Sequence, residues 1–392
     1  MIAVEKAWRL IDENACALEQ FETRRVTEAL GFVLFEPVVS PMHLPPFRQS
    51  AMDGFALCNH QHSIYTLVGE VKAGDAPDIV LKKGEAVRIF TGAVVPDTAT
   101  AVVMQEKTKV DGTQLEILDV VEAGQNIRPL GEQVQEGDIA LKQGVLLTPA
   151  ALGFLSSMGI QEVKVFKKPS VAIVGTGNEL TDPGQPLAKG KIYESNTIML
   201  GTSLCALGCY DPTIYRVADT YEQTVDTIGK ALEAHDMVLI SGGISVGDYD
   251  FVGKALDALS VNPVFYKVNQ KPGKPLFFGK KDEKVVFALP GNPAAALTCF
   301  YLYVYPAFRR MSGETNFQLQ WTLERSASAC IKNGNRAQFF KALSAEGEVR
   351  ILEGQSSAML QTFALANALV YVPAEVSEIT KGTPLKVWHL PN

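Results

Sequence analysis

No CxxC pair occurs in the 392 residues, and none of the six cysteines, at 16, 58, 205, 209, 299 and 330, joins histidines at a zinc-binding spacing. A thiolate zinc site and a CxxC redox centre are thereby excluded. Cys205 and Cys209 stand one helical turn apart in the apolar SLCALGC, where reduced, buried thiols of a cytosolic protein are the expectation. The first residues, MIAVEKAWRL, lack a basic stretch leading into an apolar core, so no secretory signal is read. A long uninterrupted apolar run is missing too. The uncharged segment 285–308 is broken by PGNP at 290–293 and reads as buried strand, tight loop and buried helix rather than a membrane span. Positive charge is in deficit: 36 Lys and Arg against 43 Asp and Glu give −7. The surface as a whole therefore attracts neither nucleic acid nor an anionic membrane, and any anion site must be a local patch. Internal repeats and low-complexity tracts are absent.

What is present is ordinary soluble composition, 47% apolar and 20% charged, in a length suited to two to four domains. Val4, Ala7, Trp8 and Ile11 recur at helical spacing, and TRRVTEALGFVL predicts a second helix ending near Gly31. Prolines at 37, 41, 45 and 46 then impose extended chain up to PPFRQSAMDGFAL. Residues 64–147 read as β structure, with the hairpin signal Asp111-Gly112 between KTKV and TQLEIL. TPAALGFLSSMG at 148–159 returns to helix and stops at Gly159.

From Ser170 the pattern changes. SVAIVGTG, DMVLISGG and KVVFALPGNP are short apolar strands that each run straight into glycine, with helical patterns between them. Such alternation predicts a parallel sheet covered by helices on both faces, with ligands at the carboxyl ends of the strands, where the three glycine loops fall. SGETN at 312–316 reads as a linker, and the remainder as a small β domain with one short helix in SSAMLQTFALAN.

The loop SGGISVGDYD at 241–250 poses the chemical question, because a backbone bared for anions ends in Asp248 and Asp250. It is not a Walker A loop: Gly242 and Gly247 have that separation, but Asp248 stands in place of the lysine. GTGNEL at 175–180 is not a dinucleotide fingerprint, since Leu180 replaces the third glycine and a turn follows. The missing positive charge lies downstream. Lys267, Lys271, Lys274, Lys280 and Lys281 occur between Ala258 and Lys281 with no acid among them, and Lys271 and Lys274 are pinned by the prolines of KPGKP. A charge run is commonly a solvated face, and rigid placement argues for an anion site instead. Carboxylates then fit as Mg²⁺ ligands, bridged through the metal to substrate phosphates, with Ser241 or Ser245 supplying a hydroxyl. Helix capping before FVGKALDAL is the competing reading of Asp248 and Asp250. In PGNP, Asn292 suits a helix cap and Pro293 the first helical position, which serves either a simple helix start or a helix N-terminus aimed at a ligand.

SAMDGFAL, GTGNEL, YESN, SGGISVGDYDF, KPGKP and LPGNP together resemble the motifs of the molybdopterin molybdenumtransferases, the bacterial MoeA proteins also represented by the gephyrin E domain. The likeness spans nearly the whole chain. It implies a multidomain α/β and β protein in four parts. These are a split helical domain (1–40 with 136–165), an inserted β domain (41–135), a central three-layer parallel-sheet α/β domain (166–312) and a small C-terminal β barrel (317–392). It also implies a cytoplasmic homodimer that converts adenylylated molybdopterin and molybdate to molybdenum cofactor, releasing AMP with Mg²⁺.

Residue by residue, the resemblance implies functional positions at Asp53, Thr91 and Arg128 in the inserted domain, and acids serving metal and pyrophosphate at Glu179, Asp219, Asp248 and Asp250. Lys267, Lys271 and Lys274 are the implied anion-binding lysines, and Pro275, Arg336 and Ser357 the implied neighbours of molybdate. Ser241, Gly242, Gly243, Ser245, Gly247, Gly291 and Asn292 complete the loops expected to hold the substrate. Two departures stand out: Gln133 where many relatives carry an acid, and Arg48-Gln49 where many carry Asp-Asn, a change expected to tune the charge beside Asp53. The partners expected are a separate molybdopterin adenylyltransferase and apo-molybdoenzymes, with no nucleic acid and no membrane. A gephyrin-like scaffold without catalysis is the alternative; retention of the Asp, Lys and PGNP set favours the enzyme.

Overall fold

The structure, a computed structural model, describes residues 1–75, 78–244 and 251–391. The chain divides into two compact units, one of residues 24–30 and 36–163, the other of residues 1–23, 31–35 and 164–392.

The smaller unit is built on a mixed six-stranded sheet in the order Ala101–Met104, Gly54–Leu57, Glu85–Ile89, Ile64–Val71, Gln114–Ile117, Thr108–Asp111. Alternate residues of each strand point to opposite faces. Ala56, Val87 and Val102 thus enter one core, and Phe55, Leu57, Ala86 and Val103 the other. The predicted hairpin forms at Asp111-Gly112, with Gly112 at φ +58°. Thr148 caps the helix Pro149–Ser157 by accepting from the amide of Ala151, and proline occupies its start. The second helix expected in TRRVTEALGFVL does not form. Residues Phe21–Arg25 are a strand and Val26–Glu28 a single 3-10 turn. Exposure alternates along Phe21–Arg25 with period two, so the segment has no helical stripe to bury.

In the larger unit a six-stranded sheet runs in the order Thr213–Val217, Val171–Thr176, Met237–Ser241, Lys284–Leu289, Phe277–Lys281, Asn262–Tyr266. The first four strands are parallel, as expected; the last two pair antiparallel at one edge, so the sheet is mixed. Val171, Ile173, Met237 and Leu239 face the helix Asn196–Ala206 and the long buried helical run 293–311. Val174, Val238, Ile240 and Ala288 face the helices Tyr221–Ala234 and Phe251–Ala258, which completes three layers. The core behind Val171 extends without a break to Val4, Ala7 and Ile11 of the N-terminal helix Val4–Asn14 and to Phe339, Leu369 and Trp388.

The C-terminal strands close on themselves. Ala337–Ala345, Glu348–Ile351, Trp321–Ser326, Pro384–His389 and Ala368–Val372 are each paired to the next, and the last pairs back to the first. Closure leaves this small barrel without the free edges of an open sheet. Gln270–Lys271 adds to it in parallel, with Lys271 opposite Gln338. No helix among the described residues is long and apolar enough to cross a membrane. The cysteines are free; of the pair expected to be buried, Cys209 is buried and Cys205 only half-buried, while Cys299 is buried and Cys16 exposed.

Candidate functional site

The four parallel strands end level with one another, at Thr176, Val217, Ser241 and Leu289. The loops that follow, three of them bearing glycine, open a cleft of about 760 Å³ at that edge. Eight of the predicted residues line it: Glu179, Asp219, Ser241, Gly242, Gly243, Pro275, Gly291 and Asn292. Gly242 and Gly243 hold φ of +91° and +63°, and a Cβ on either would come within 2.9 Å of the Thr176 hydroxyl. Glycine is therefore required where the loop crosses the neighbouring strand.

The two acids differ in how they are held. Oδ2 of Asp219 accepts from the amide of Asn178 at 3.0 Å, and the amide of Asp219 donates back to Asn178 Oδ1 at 3.2 Å. This reciprocal pair ties the loop after Thr213–Val217 to GTGNEL, which is also secured by Lys191 bonding the Asn178 carbonyl. Glu179 is exposed beside it, its carboxylate turned back over Gly177. Glu194, a third acid lining the cleft, is spent elsewhere. Its two oxygens accept from the amide and the hydroxyl of Thr197, at 2.8 and 2.6 Å, and start the helix Asn196–Ala206.

Asn196, the last residue of YESN, has no role that the sequence predicts. Its Nδ2 donates to Ser241 Oγ at 2.9 Å and to the carbonyl of Gly291 at 2.8 Å, so one amide joins the loops of two strands. Its Oδ1 is out of solvent and without a partner among the described residues. The signal that could have found it is a side-chain amide at the first position of the helix Asn196–Ala206, two residues after Glu194.

Asn292 and Pro293 begin the helix Pro293–Cys299 as expected, but Asn292 makes no side-chain cap. Its Nδ2 instead donates to Ser357 Oγ at 3.0 Å, and the amide of Ala295 donates to the Ser357 carbonyl at 3.1 Å. Ser357 of the barrel is thus joined to the rim of the cleft.

Lys267, Lys271, Lys274 and Arg336 do not line the cleft; they occupy the segment that leads to Pro275 and the strand beside it. Lys267 adopts φ +68°, sparsely populated for a residue with a side chain, and its ammonium lies 4.6 Å from the centre of the Tyr266 ring. Its amide bonds the Leu276 carbonyl and the amide of Val268 the Lys274 carbonyl, which folds KPGKP back on itself. Arg336 donates to the Gln270 carbonyl at 3.2 Å. Lys267, Lys271 and Lys274 make no ion pair with an acid among the described residues.

Asp53, Thr91 and Arg128 lie in the smaller unit. Thr91 donates its amide (2.7 Å) and its hydroxyl (2.8 Å) to Oδ1 of Asp53. These two bonds, the amide first, hold the Asp53 carboxyl below its usual value. Arg128 pairs with Gln49 in a short ladder. At the departure Arg48, the guanidinium binds the carbonyls of Pro96, Asp97 and Ala99, and the nearby charge that lowers the Asp53 carboxyl further is that of Arg88. Ser245, Gly247, Asp248 and Asp250 lie outside the described residues.

Mg²⁺ takes one or two carboxylates and completes its shell with waters and substrate phosphates. Glu179 and Asp219 meet that requirement, while no group of three or more His, Cys, Asp or Glu suited to a metal occurs among the described residues. These two described carboxylates fit a metal that draws its other ligands from water and a phosphorylated ligand.

Comparison with known proteins agrees over the full length. Three family models match: MoeA N-terminal region (domain I and II) at residues 2–159, probable molybdopterin binding domain at 172–310, and MoeA C-terminal region (domain IV) at 325–390. The molybdopterin molybdenumtransferase of Haemophilus influenzae is 32% identical over 99% of this chain and 98% of its own. Molybdopterin molybdenumtransferase 2 of Mycobacterium tuberculosis is 33% identical over the whole of both chains. Among solved structures, the molybdopterin biosynthesis moeA protein of Pyrococcus horikoshii OT3 superposes with a TM-score of 0.86 at 29% identity, covering both chains completely. With its mixed α/β sheet, its closed barrel and full-length identity above 30% to such relatives, this chain belongs to the MoeA family of molybdopterin molybdenumtransferases.

Proposed function

We propose that this protein inserts molybdate into adenylylated molybdopterin, releasing AMP in a reaction that requires Mg²⁺. One observation supports the reading above others: glycine loops, two carboxylates and the Asn292–Ser357 link meet at the carboxyl ends of the parallel strands, where this sheet type binds ligands. A pyrophosphate needs backbone donors for its oxygens and a metal to balance its charge, and that edge offers both kinds of group. Bound Mg²⁺ supplies charge stabilisation to the phosphoanhydride, and Glu179 and Asp219 are the described residues suited to hold it. Asp248 and Asp250 are proposed as further metal ligands, with Ser245 and Gly247 in the same loop as substrate contacts.

In the reaction, water adds across the phosphoanhydride and AMP leaves; two Mo–S bonds then form as one molybdate oxygen departs as water with the two dithiol protons, and the oxidation state of molybdenum does not change. Molybdate is a tetrahedral dianion, so Lys271, Lys274 and Arg336, with Pro275 and Ser357, form a chemically suitable surround. Lys267 is proposed to add to the same positive field, and Asp53, Thr91 and Arg128 are proposed functional residues of the other unit. The reading extends to a cytoplasmic homodimer that receives its substrate from a separate molybdopterin adenylyltransferase and serves apo-molybdoenzymes.

The direct test gives the purified protein adenylylated molybdopterin, Mg²⁺ and molybdate, then measures AMP release and the revival of an apo-molybdoenzyme. Both are expected. AMP release without revival would reduce the activity to hydrolysis alone, and neither would remove it. Asp250→Asn is expected to suppress AMP release far more than substrate binding, because it removes an interaction made in the transition state. Wild-type release rates in that variant would strip Asp250 of its proposed role.

A further inference from the structure

The barrel buries a positive charge that forms no ion pair among the described residues. Lys341, in the strand Ala337–Ala345, is 3% exposed, and no carboxylate among the described residues pairs with it. Its ammonium donates to the carbonyls of Gly354 (2.9 Å), Ser356 (3.2 Å) and Met359 (3.0 Å). Three donors meet three acceptors, so the group is saturated without a counter-ion. Its backbone grips the same loop: the Lys341 amide donates to Gln355 Oε1 at 3.0 Å, and Gln355 Nε2 returns a bond to the Lys341 carbonyl at 2.9 Å.

A buried ion is costly, and an apolar residue of similar volume commonly serves stability as well or better. The lysine therefore needs a reason beyond packing. That reason lies in what the loop carries. Ser357 sits between two of the carbonyls that Lys341 holds, and it meets Asn292 and Ala295 at the first turn of Pro293–Cys299, on the rim of the cleft. The same strand begins next to Arg336 and pairs with Lys271 through Gln338, so one strand sets three of the proposed molybdate neighbours.

We propose that Lys341 is a positioning residue for the cleft: its ammonium gathers the three carbonyls of the 354–359 loop and so fixes where Ser357 meets Asn292. The inference rests on the function proposed above, and Lys341 acts through the loop without touching substrate.

The test uses the full-length protein with Lys341→Met, which keeps the stem and removes the donors, and Lys341→Arg, which keeps donors. Hydrogen exchange of the Ala295 amide is expected to quicken at least ten-fold in Lys341→Met and to recover most of its protection in Lys341→Arg. The molybdate KM for AMP release is expected to rise at least five-fold in Lys341→Met, and by more than kcat falls. Unchanged exchange at Ala295 overturns the proposal. A lowered melting temperature with an unchanged molybdate KM also overturns it, because that marks a lysine serving the fold alone. If Lys341→Met does not fold, Lys341→Gln, which retains a donor amide, carries the same two readouts. A wild-type protein that releases no AMP sinks the function proposed for the cleft and leaves the Ala295 exchange to decide Lys341 by itself.

Discussion

Thr91 is bonded twice to one oxygen of Asp53: its amide at 2.7 Å and its hydroxyl at 2.8 Å both point at Oδ1. The sequence places these residues 38 apart, and the sheet brings them together because Gly54, after Asp53, pairs with Ile89, just before the loop that carries Thr91. Gly54 is what allows so close a pairing. A Cβ there would lie 1.8 Å from the Val103 carbonyl oxygen, so the glycine of AMDG serves the sheet and the aspartate before it is left to point outward.

Thr91→Val removes the hydroxyl and keeps the amide, which is the larger of the two causes. The Asp53 carboxyl is then expected to titrate higher than in wild type but still below its ordinary value of 3.8. Since its folded value is depressed, whatever stability the charge gives is present above 3.8 and is lost as pH falls through the folded value. Above that window the variant and wild type are expected to show the same pH dependence. NMR titration of the Asp53 side chain measures the shift, and an unmoved midpoint in Thr91→Val would deny the hydroxyl any part.

Glu179 and Asp219 give the second prediction. Removal of Mg²⁺ by a chelator is expected to abolish AMP release, with recovery on adding Mg²⁺ back. Asp219→Asn keeps an acceptor for the Asn178 amide but removes the charge, so the loop is expected to stay folded while AMP release falls by about 10²-fold or more, the scale of losing one electrostatic contact in such a site. Glu179→Gln makes the same comparison on an acid free of that clasp. Metal-independent release, or two variants as active as wild type, would remove both carboxylates from the metal.

Much of this was legible beforehand, and the limits have physical causes. Strands that ran straight into glycine announced a sheet edge with a ligand cleft, because apolar continuity and backbone exposure are local signals. The antiparallel edge strands Phe277–Lys281 and Asn262–Tyr266 carry no strand signal, since FFGKK sets its apolar residues in one block ahead of two lysines and NPVFY has a proline at its second position. TRRVTEALGFVL reads as a helix, yet its Thr23, Arg24 and Arg25 belong to the alternating strand Phe21–Arg25. In the site, the glycines and acids stood in recognisable motifs. Asn196 stands in YESN without a legible role, and Gln270 and Lys341 stand in no motif, because their importance comes from carbonyls and hydroxyls brought to them by other parts of the chain.

The cysteines offer a third check. Burial pushes the Cys209 thiol up to about 11, and Cys299 higher still, so at pH 8 neither carries appreciable thiolate, the reactive form. Cys16 is exposed. A maleimide applied to the native protein is expected to label Cys16 well before Cys209 or Cys299, which should react only once urea unfolds the chain. Peptide mass spectrometry of a time course reads the order. Early modification at Cys299 would mean that its surroundings open in the native state.

Tyr303 supplies the last prediction. It lies fully buried in the π-helical stretch Phe300–Val304, and its hydroxyl bonds Oε1 of Gln270, itself wholly buried. Gln270 uses its Nε2 on the Pro272 carbonyl at 3.0 Å and gives its own carbonyl to Arg336, so one amide braces the turn of KPGKP. A π-helical widening rotates side chains relative to a regular helix and recurs where a site needs it; here it accompanies Tyr303 beneath the lysine loop. Burial holds the Tyr303 phenol well above its usual value, so it remains a donor across the working pH range. Tyr303→Phe leaves Oε1 buried and unpaired, which costs about 1–3 kcal/mol in urea unfolding. Adding Gln270→Leu removes the orphaned acceptor, so the double variant is expected to lose less than the sum of the two single losses. Strict additivity would mean that the hydroxyl and the amide do not support each other, and the brace beneath KPGKP would then rest on the Nε2 bond alone.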